Sequence, residues 1–208
     1  MGGKSDLPPP PSTARSNAVV AKDAGAPVND GGHAATPVTT STAPRQLCAG
    51  QGQRPAPKAA VKTAAAPGES PPPATMPFGV GKWTWVNLWA AWCAPCKEEM
   101  PRLRSFQSKL SAAGVLVELA FVSMDDDERQ LHRFLEGQPK AGGVRSSYWL
   151  PEGDLRSGWL SALGLTEKTE LPVQALVAPS GQLACVIQGA IEDRDYPALA
   201  AFFGAKKL

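Results

Sequence analysis

Most large apolar side chains lie in the C-terminal two thirds of the chain, where they recur with the spacings of strands and helices. Residues 82–90 are almost continuously β-forming and apolar, which is typical of a central strand buried on both faces. Residues 115–122 repeat this pattern. Between the two, residues 97–113 place apolar side chains at helical spacing. The sequence therefore predicts a strand, a helix and a second buried strand in succession.

The rest of this region continues the alternation of strands and helices. It predicts, in order, a helix over 126–137, a short strand over 148–150, a helix from Asp154 to a stop at Gly164, a hairpin of strands over 173–178 and 182–188, and a last helix that closes at Gly204. The order β-α-β-α-β-α-β-β-α predicts an α/β three-layer sandwich, with a mixed central sheet and helices on both faces.

The first 75 residues lack any such pattern. Every aromatic residue lies at or after Phe78, while the leading segment is rich in proline and alanine. Such a segment buries too little apolar surface to offset the entropy of ordering its backbone. We therefore predict a disordered tail over 1–75 and one domain over 76–208. The tail would serve as a tether, or else be a dispensable low-complexity extension.

Charge and hydropathy exclude several classes of protein. The formal net charge is only +2, and lysine and arginine are not clustered, so we expect no nucleic-acid partner. No apolar run approaches the roughly 20 residues that span a bilayer. Polar residues and prolines follow Met1 where a secretory signal would be apolar, as expected of a mature protein whose N-terminal anchor has been removed.

The residues that point to chemistry are Cys93-Ala94-Pro95-Cys96, at the junction of the first predicted strand and helix. With no second cysteine or histidine pair at ligand spacing, this motif is a poor zinc site, and we expect no metal. A helix N-terminus stabilises a thiolate and lowers the pKa of Cys93. Cys96, one turn on, can attack a mixed disulfide formed by Cys93. The pair predicts thiol–disulfide exchange without an external cofactor.

This segment also resembles a known family. Residues 86–101, Val-Asn-Leu-Trp-Ala-Ala-Trp-Cys-Ala-Pro-Cys-Lys-Glu-Glu-Met-Pro, resemble the active-site segment of thioredoxin-like proteins. They are most similar to the TlpA/ResA-like branch of extracytoplasmic thiol–disulfide oxidoreductases, which includes cytochrome c maturation proteins. The layout of Leu171-Pro172-Val173, followed by Ser180-Gly181, resembles the cis-proline loop and hairpin of the family. The resemblance covers residues 79–204.

The resemblance implies a substrate site around the cysteines. Pro172 is the expected cis residue, and the backbone of Leu171 would pair with an extended substrate strand. Ala94 and Pro95 lie between the two cysteines. Trp92 precedes the nucleophile and either covers it or is an ordinary packed tryptophan.

The resemblance further implies a periplasmic or otherwise extracytoplasmic monomer that reduces disulfides of envelope proteins, with electrons from a membrane thiol donor. Two alternatives remain open at this point. One is a disulfide-forming oxidant with the same site, and the other is a thioredoxin-fold binding or scaffold module.

The residue that would deprotonate Cys96 differs from the one in ordinary thioredoxins. These carry a buried aspartate where this chain has Asn87, which cannot accept a proton. By analogy with the resembled branch, Asp125 or Asp126 is the candidate, and we assign Asp126 as catalytic; alternatively both cap the following helix.

Four further residues have simpler interpretations. Lys97, Glu98 and Glu99 are interpreted as a solvated helix face. Cys185 is interpreted as a buried structural thiol, although a Cys48–Cys185 disulfide is possible in an oxidising compartment.

Overall fold

A computed structural model describes residues 45, 47, 48 and 52–205. Its elements are, in chain order, β1 Arg54–Pro55, β2 Lys62–Ala65, β3 Trp83–Trp89, α1 Ala94–Ala112, β4 Val117–Ser123, α2 Glu128–Gly137, β5 Ser146–Trp149, α3 Asp154–Ala162, β6 Val173–Val177, β7 Gln182–Gln188, a 3₁₀ turn Asp193–Asp195, and α4 Tyr196–Phe202. Every element predicted from Lys82 onward is present, with bounds that differ by a few residues.

The described strands form one mixed sheet in the order β1-β7-β6-β3-β4-β5-β2. Strand β3 lies near the middle, parallel to β4 and antiparallel to β6. Strand β5 continues the parallel part, and the hairpin of β6 and β7 forms the antiparallel part. The predicted α/β sandwich with a mixed sheet is confirmed.

Helices cover both faces because side chains of β3 alternate between them. Trp85 and Trp89 belong to a core cluster shared with α1, α2 and α4. Val86 and Leu88 belong to a second cluster that contains Trp159 of α3. All four side chains are fully buried, as the continuous apolar run predicts.

The predicted boundary at residue 75 is wrong for the described part of the leading segment. Strand β1 pairs with β7, and β2 pairs with β5 along its whole length, so residues 54–65 contribute both edges of the sheet. Val61 and Met76 are buried in the second core cluster. An edge strand can pack against a core that the rest of the domain forms. The composition of the strand itself does not reveal this. Residues 1–44 lie outside the described residues.

No helix in the described part of the chain has the length and apolar character needed to cross a membrane.

Candidate functional site

The two cysteines of the motif lie where the central strand passes into the first helix. Only residues 90–93 separate the end of β3 from the start of α1. Cys93 is the N-cap of α1, and its sulfur accepts a hydrogen bond from the amide of Cys96 at 3.3 Å. Cys93 and Cys96 form a disulfide. The structure is therefore that of the oxidised pair.

The helix start favours negative charge on Cys93. No acidic residue lies in the first turn of α1, so nothing on the helix there offsets its positive end. Cys93 is 4% exposed, whereas Cys96 is 0% exposed. The exposed surface of the pair therefore belongs to Cys93 alone.

A cis-proline loop lies beside the pair. The Leu171–Pro172 peptide bond is cis, and the carbonyl of Pro172 accepts a hydrogen bond from the amide of Gly189 at 2.9 Å. This bond joins the loop to the end of β7. Within residues 52–205, no hydrogen bond engages the backbone of Leu171, so its N–H and C=O are available to an extended chain.

A cleft of about 470 Å³ joins the loop to Cys93. It is lined by Trp92, Cys93, Ala94, Pro95 and residues 167–171. Trp92 is 64% exposed and forms a wall of this cleft, so it is not an ordinary packed tryptophan. The structure thus brings Leu171 onto one surface with Trp92, Cys93, Ala94 and Pro95, whereas Pro172 and Cys96 do not line the cleft.

Glu99 is part of a buried polar network and not of a solvated helix face. Its Oε1 accepts hydrogen bonds from Asn87 Nδ2 at 2.7 Å and from Gln174 Nε2 at 2.9 Å. Its Oε2 accepts one from the amide of Ile191 at 2.7 Å. The side chain is 0% exposed, so the interpretation of Glu99 as solvated is wrong. Its exposed neighbours Lys97 and Glu98 fit that interpretation.

The sequence does carry a signal for this burial. Glu99 precedes Leu103 by four residues and Phe106 by seven, which puts it on the apolar face of the helix. It also follows Cys96 by three residues, and side chains at that spacing are neighbours on a helix. A carboxyl group therefore lies on the same buried face as the second cysteine.

Burial raises the pKa of Glu99 above the ordinary glutamate value, and the hydrogen bonds from Ile191, Gln174 and Asn87 offset only part of this rise. Strands β3 and β6 position the two donors, because Asn87 and Gln174 are directly paired neighbours on them. Asn87 cannot take up a proton, but it donates to a group that can.

The two predicted aspartates occupy different surroundings. Asp125 is buried, and both of its carboxylate oxygens accept hydrogen bonds from the amide of Ala91 at 3.0 Å. Burial raises its pKa. The side chain of Asp126 is 68% exposed and forms an ion pair with Arg156 at 2.6 Å.

Neither aspartate caps α2, so that alternative is wrong. The N-cap is Asp127, whose carboxylate accepts a hydrogen bond from the amide of Arg129 at 2.9 Å. Asp126 instead lines a second cleft of about 190 Å³, beside Trp92 and Leu171.

The remaining cysteines form a second disulfide, Cys48–Cys185, which spans 137 residues of sequence. Cys185 on β7 is buried, as predicted, but it is not a free thiol. Within the described part of the chain, no cluster of three or more His, Cys, Asp or Glu side chains could hold a metal ion.

Sequence comparisons agree with the geometry. Residues 81–181 match a family model described as thioredoxin-like. The thiol-disulfide oxidoreductase ResA of Oceanobacillus iheyensis is 28% identical over 111 residues, which are 53% of this chain and 52% of the relative. ResA of Bacillus subtilis is 26% identical over 113 residues, 54% of this chain and 56% of the relative. The chain thus spans about half the length of these curated relatives.

Solved structures show the same fold. The thioredoxin domain of a thiol-disulfide oxidoreductase from Bacteroides vulgatus has a TM-score of 0.50 at 20% identity, covering 72% of this chain and 98% of that one. A thiol:disulfide interchange protein from Bacteroides sp. has a TM-score of 0.51 at 19% identity, covering 78% and 95%. At this level of identity the likeness concerns the fold alone.

The raised pKa of Glu99 predicts a specific pH dependence of stability. A carboxyl group whose folded pKa is raised stabilises the fold fully below the ordinary glutamate value, and this contribution is lost as pH rises through the folded pKa. In urea unfolding of the oxidised protein, the free energy of unfolding of wild type relative to Glu99→Gln should fall as pH rises from about 4. Each unit by which the pKa is raised corresponds to about 1.4 kcal/mol.

Glu98→Gln is the matched control, because it removes the same charge from an exposed position on the same turn. Its stability should run parallel to that of wild type across the pH series. A constant difference between wild type and Glu99→Gln would contradict the burial of an ionisable carboxyl at this position.

Proposed function

We propose that this chain, which belongs to the thioredoxin-like family, is a thiol–disulfide oxidoreductase that reduces disulfides of proteins outside the cytoplasm. The observation that carries the proposal is the Cys93–Cys96 disulfide at the N-terminus of α1, in one cleft with the cis-proline loop. A binding or scaffold module has no chemical need for this combination.

Substrate docking would use the backbone of Leu171. An extended segment of the substrate pairs with the free N–H and C=O of this residue, as a strand adds to a sheet edge. Trp92, Ala94 and Pro95 form the opposite side of the cleft. Pairing there brings a substrate sulfur to Cys93, the first of the two cysteines that it can meet.

The exchange then proceeds in two steps from the reduced enzyme. The Cys93 thiolate attacks one sulfur of the substrate disulfide, which forms a mixed disulfide and releases one substrate thiolate. Cys96 loses its proton and attacks the sulfur of Cys93, which releases the second substrate thiolate and leaves the Cys93–Cys96 disulfide. A thiol donor, in our proposal a membrane protein, reduces that disulfide again.

The second step needs an internal proton acceptor, because Cys96 is fully buried and water does not reach it in the oxidised state. We assign this role to Glu99, whose buried carboxylate lies one turn further along the same helix face. Its raised pKa makes it a better proton acceptor than an ordinary glutamate. Asp126, the residue predicted by analogy, is the alternative acceptor and is tested beside it.

The compartment is supported by the second disulfide. Cys48–Cys185 joins distant parts of the chain, and such disulfides form and persist in oxidising environments such as the periplasm. The reducing direction, with envelope proteins such as apocytochromes as substrates, rests on the resemblance of residues 86–101 to the TlpA/ResA-like branch.

Turnover with a protein disulfide tests the function. We expect the protein to catalyse insulin reduction by dithiothreitol, and Cys96→Ala to abolish turnover but accumulate mixed disulfides with partner proteins in cells. These adducts form because the resolving thiol is missing. Cys93→Ala is the matched control and should yield neither turnover nor adducts. Failure of wild type to reduce insulin, with no adducts in Cys96→Ala, would leave the binding-module alternative.

Ellman's reagent separates the two thiol steps and so tests the proton acceptor. The first release of thionitrobenzoate reports attack by Cys93, and the second reports attack by Cys96 on the mixed disulfide. Glu99→Gln should slow the second release by roughly 10²-fold and change its pH dependence, while the first release is nearly unchanged. Glu98→Gln is again the control. Normal kinetics in Glu99→Gln together with a slowed second step in Asp126→Asn would refute the assignment and move the role to Asp126.

A further inference from the structure

The position of the Glu99 carboxylate depends on a segment far away in sequence. Its Oε2 accepts a hydrogen bond from the amide of Ile191, which lies between β7 and α4. We call residues 189–195 the post-β7 segment. The groups that face Glu99 from β3 and β6 are the side-chain amides of Asn87 and Gln174, which do not titrate. Arg102, on the same helix, acts on Glu99 through space and also holds the post-β7 segment, because its Nη1 donates to the carbonyl of Ile191 at 2.8 Å and its Nε donates to Asp193 Oδ1 at 3.2 Å.

Arg45 clamps both ends of the post-β7 segment. Its Nε donates to Asp195 Oδ1 at 3.0 Å, and its Nη2 donates to Asp195 Oδ2 and to the carbonyl of Ala190, the latter at 2.9 Å. Asp195 is fully buried. Burial alone would raise its pKa, but the hydrogen bonds from Arg45 and from the amide of Glu192 outweigh this and hold the pKa below its ordinary value. The planar guanidinium makes this fork, which an ammonium group cannot reproduce.

Arg45 is itself held in place by the second disulfide. Cys48 follows it by three residues and is bonded to Cys185 on β7. A three-residue chain reaches at most about 10 Å, so the guanidinium stays close to the post-β7 segment as long as the disulfide is intact. Leu47, between the two, packs against the first core cluster.

We propose that Arg45, tied down by the Cys48–Cys185 disulfide, is a positioning residue of the redox centre. It fixes the post-β7 segment so that the amide of Ile191 keeps its hydrogen bond to Glu99. The inference rests on the proton-acceptor role given to Glu99 in the proposed function. On this proposal, the Cys48–Cys185 disulfide does more than stabilise the fold, because its loss changes the chemistry of the Cys93–Cys96 pair.

The direction of the effect follows from the contacts. The Ile191 hydrogen bond lowers the pKa of Glu99 against the effect of burial. When Arg45 no longer holds the segment and this bond weakens, the pKa of Glu99 rises further. Glu99 is then ionised only at higher pH, and the step in which Cys96 attacks requires higher pH as well.

The test compares Arg45→Ala, Arg45→Lys and the double variant Cys48→Ala/Cys185→Ala with wild type. Arg54→Ala is the matched control, because Arg54 also anchors the leading segment, by a 2.8 Å hydrogen bond to the carbonyl of Leu163, but does not contact the post-β7 segment. The first readout is amide hydrogen exchange of the oxidised protein by mass spectrometry. The second is the pH dependence of the second release with Ellman's reagent.

In Arg45→Ala and in the double variant, the peptide that contains Ile191 should exchange at least about tenfold faster, and the pH midpoint of the second release should move upward. Arg45→Lys should lie between these variants and wild type, because it keeps the charge and loses the fork. Arg54→Ala should match wild type in both readouts. Arg45→Ala leaves Asp195 unpaired. If this variant does not fold for that reason, the double variant, in which Arg45 and Asp195 are unchanged, tests the proposal by itself.

Unchanged exchange at Ile191, or a wild-type pH profile beside a shifted Glu99→Gln profile, would overturn the inference and leave the proposed function intact. An unshifted Glu99→Gln profile would refute the role of Glu99 and this inference with it. Insulin reduction is scored separately, so a failure of the oxidoreductase activity itself is distinguishable from both.

Discussion

Burial of β3 on both faces determines where the redox pair can lie. Its side chains alternate between two core clusters, so the strand can neither shift nor rotate without exposing large apolar groups. Because only residues 90–93 connect it to α1, the helix must begin directly above the end of the strand. Cys93 is thereby placed at the positive end of the helix, and Cys96 is placed below it in the core.

The same helix carries a buried carboxyl group one turn beyond Cys96. Glu99 is on the buried face of α1, and β3 and β6 place Asn87 and Gln174 side by side to donate to it. An ionisable group in such a site has a free-energy cost that the hydrogen bonds offset only in part, as its raised pKa indicates. In the proposed function, the carboxyl group at this position takes up the proton that the buried Cys96 thiol loses. An apolar residue at position 99 would pack on the helix face without this free-energy cost.

Much of this could be predicted from the sequence, because strong local patterns coincide with strong tertiary constraints. Local preference and tertiary fold agree in this part of the chain. This holds for the continuous apolar run of β3, the helical spacing in α1 and the placement of the Cys-x-x-Cys motif. The predicted cis bond at Pro172 is present, and Leu171 before it lines one cleft with Cys93, although Pro172 lies 76 positions after Cys96.

The features that the sequence does not predict have physical causes. Residues 54–65 are mostly alanine, lysine and proline, which are not typical of strands, so β1 and β2 are strands chiefly because they pair with β7 and β5. The charge of Glu99 favours solvent, whereas its position relative to Leu103 and Phe106 favours the core, where the structure places it. The Arg45–Asp195 pair joins residues 150 positions apart, and no local pattern announces such a contact.

The reduction potential of the Cys93–Cys96 couple tests the account most directly, because it decides whether the couple donates or accepts electrons. The oxidised protein would be equilibrated with dithiothreitol buffers of graded potential, and the thiols that appear would be alkylated and located by mass spectrometry. We expect a single two-electron transition at Cys93 and Cys96, with a potential nearer to that of thioredoxin, about −270 mV, than to that of a strong oxidant, about −120 mV, while Cys48–Cys185 stays oxidised. A potential near the oxidant value, or joint reduction of both disulfides, would contradict it.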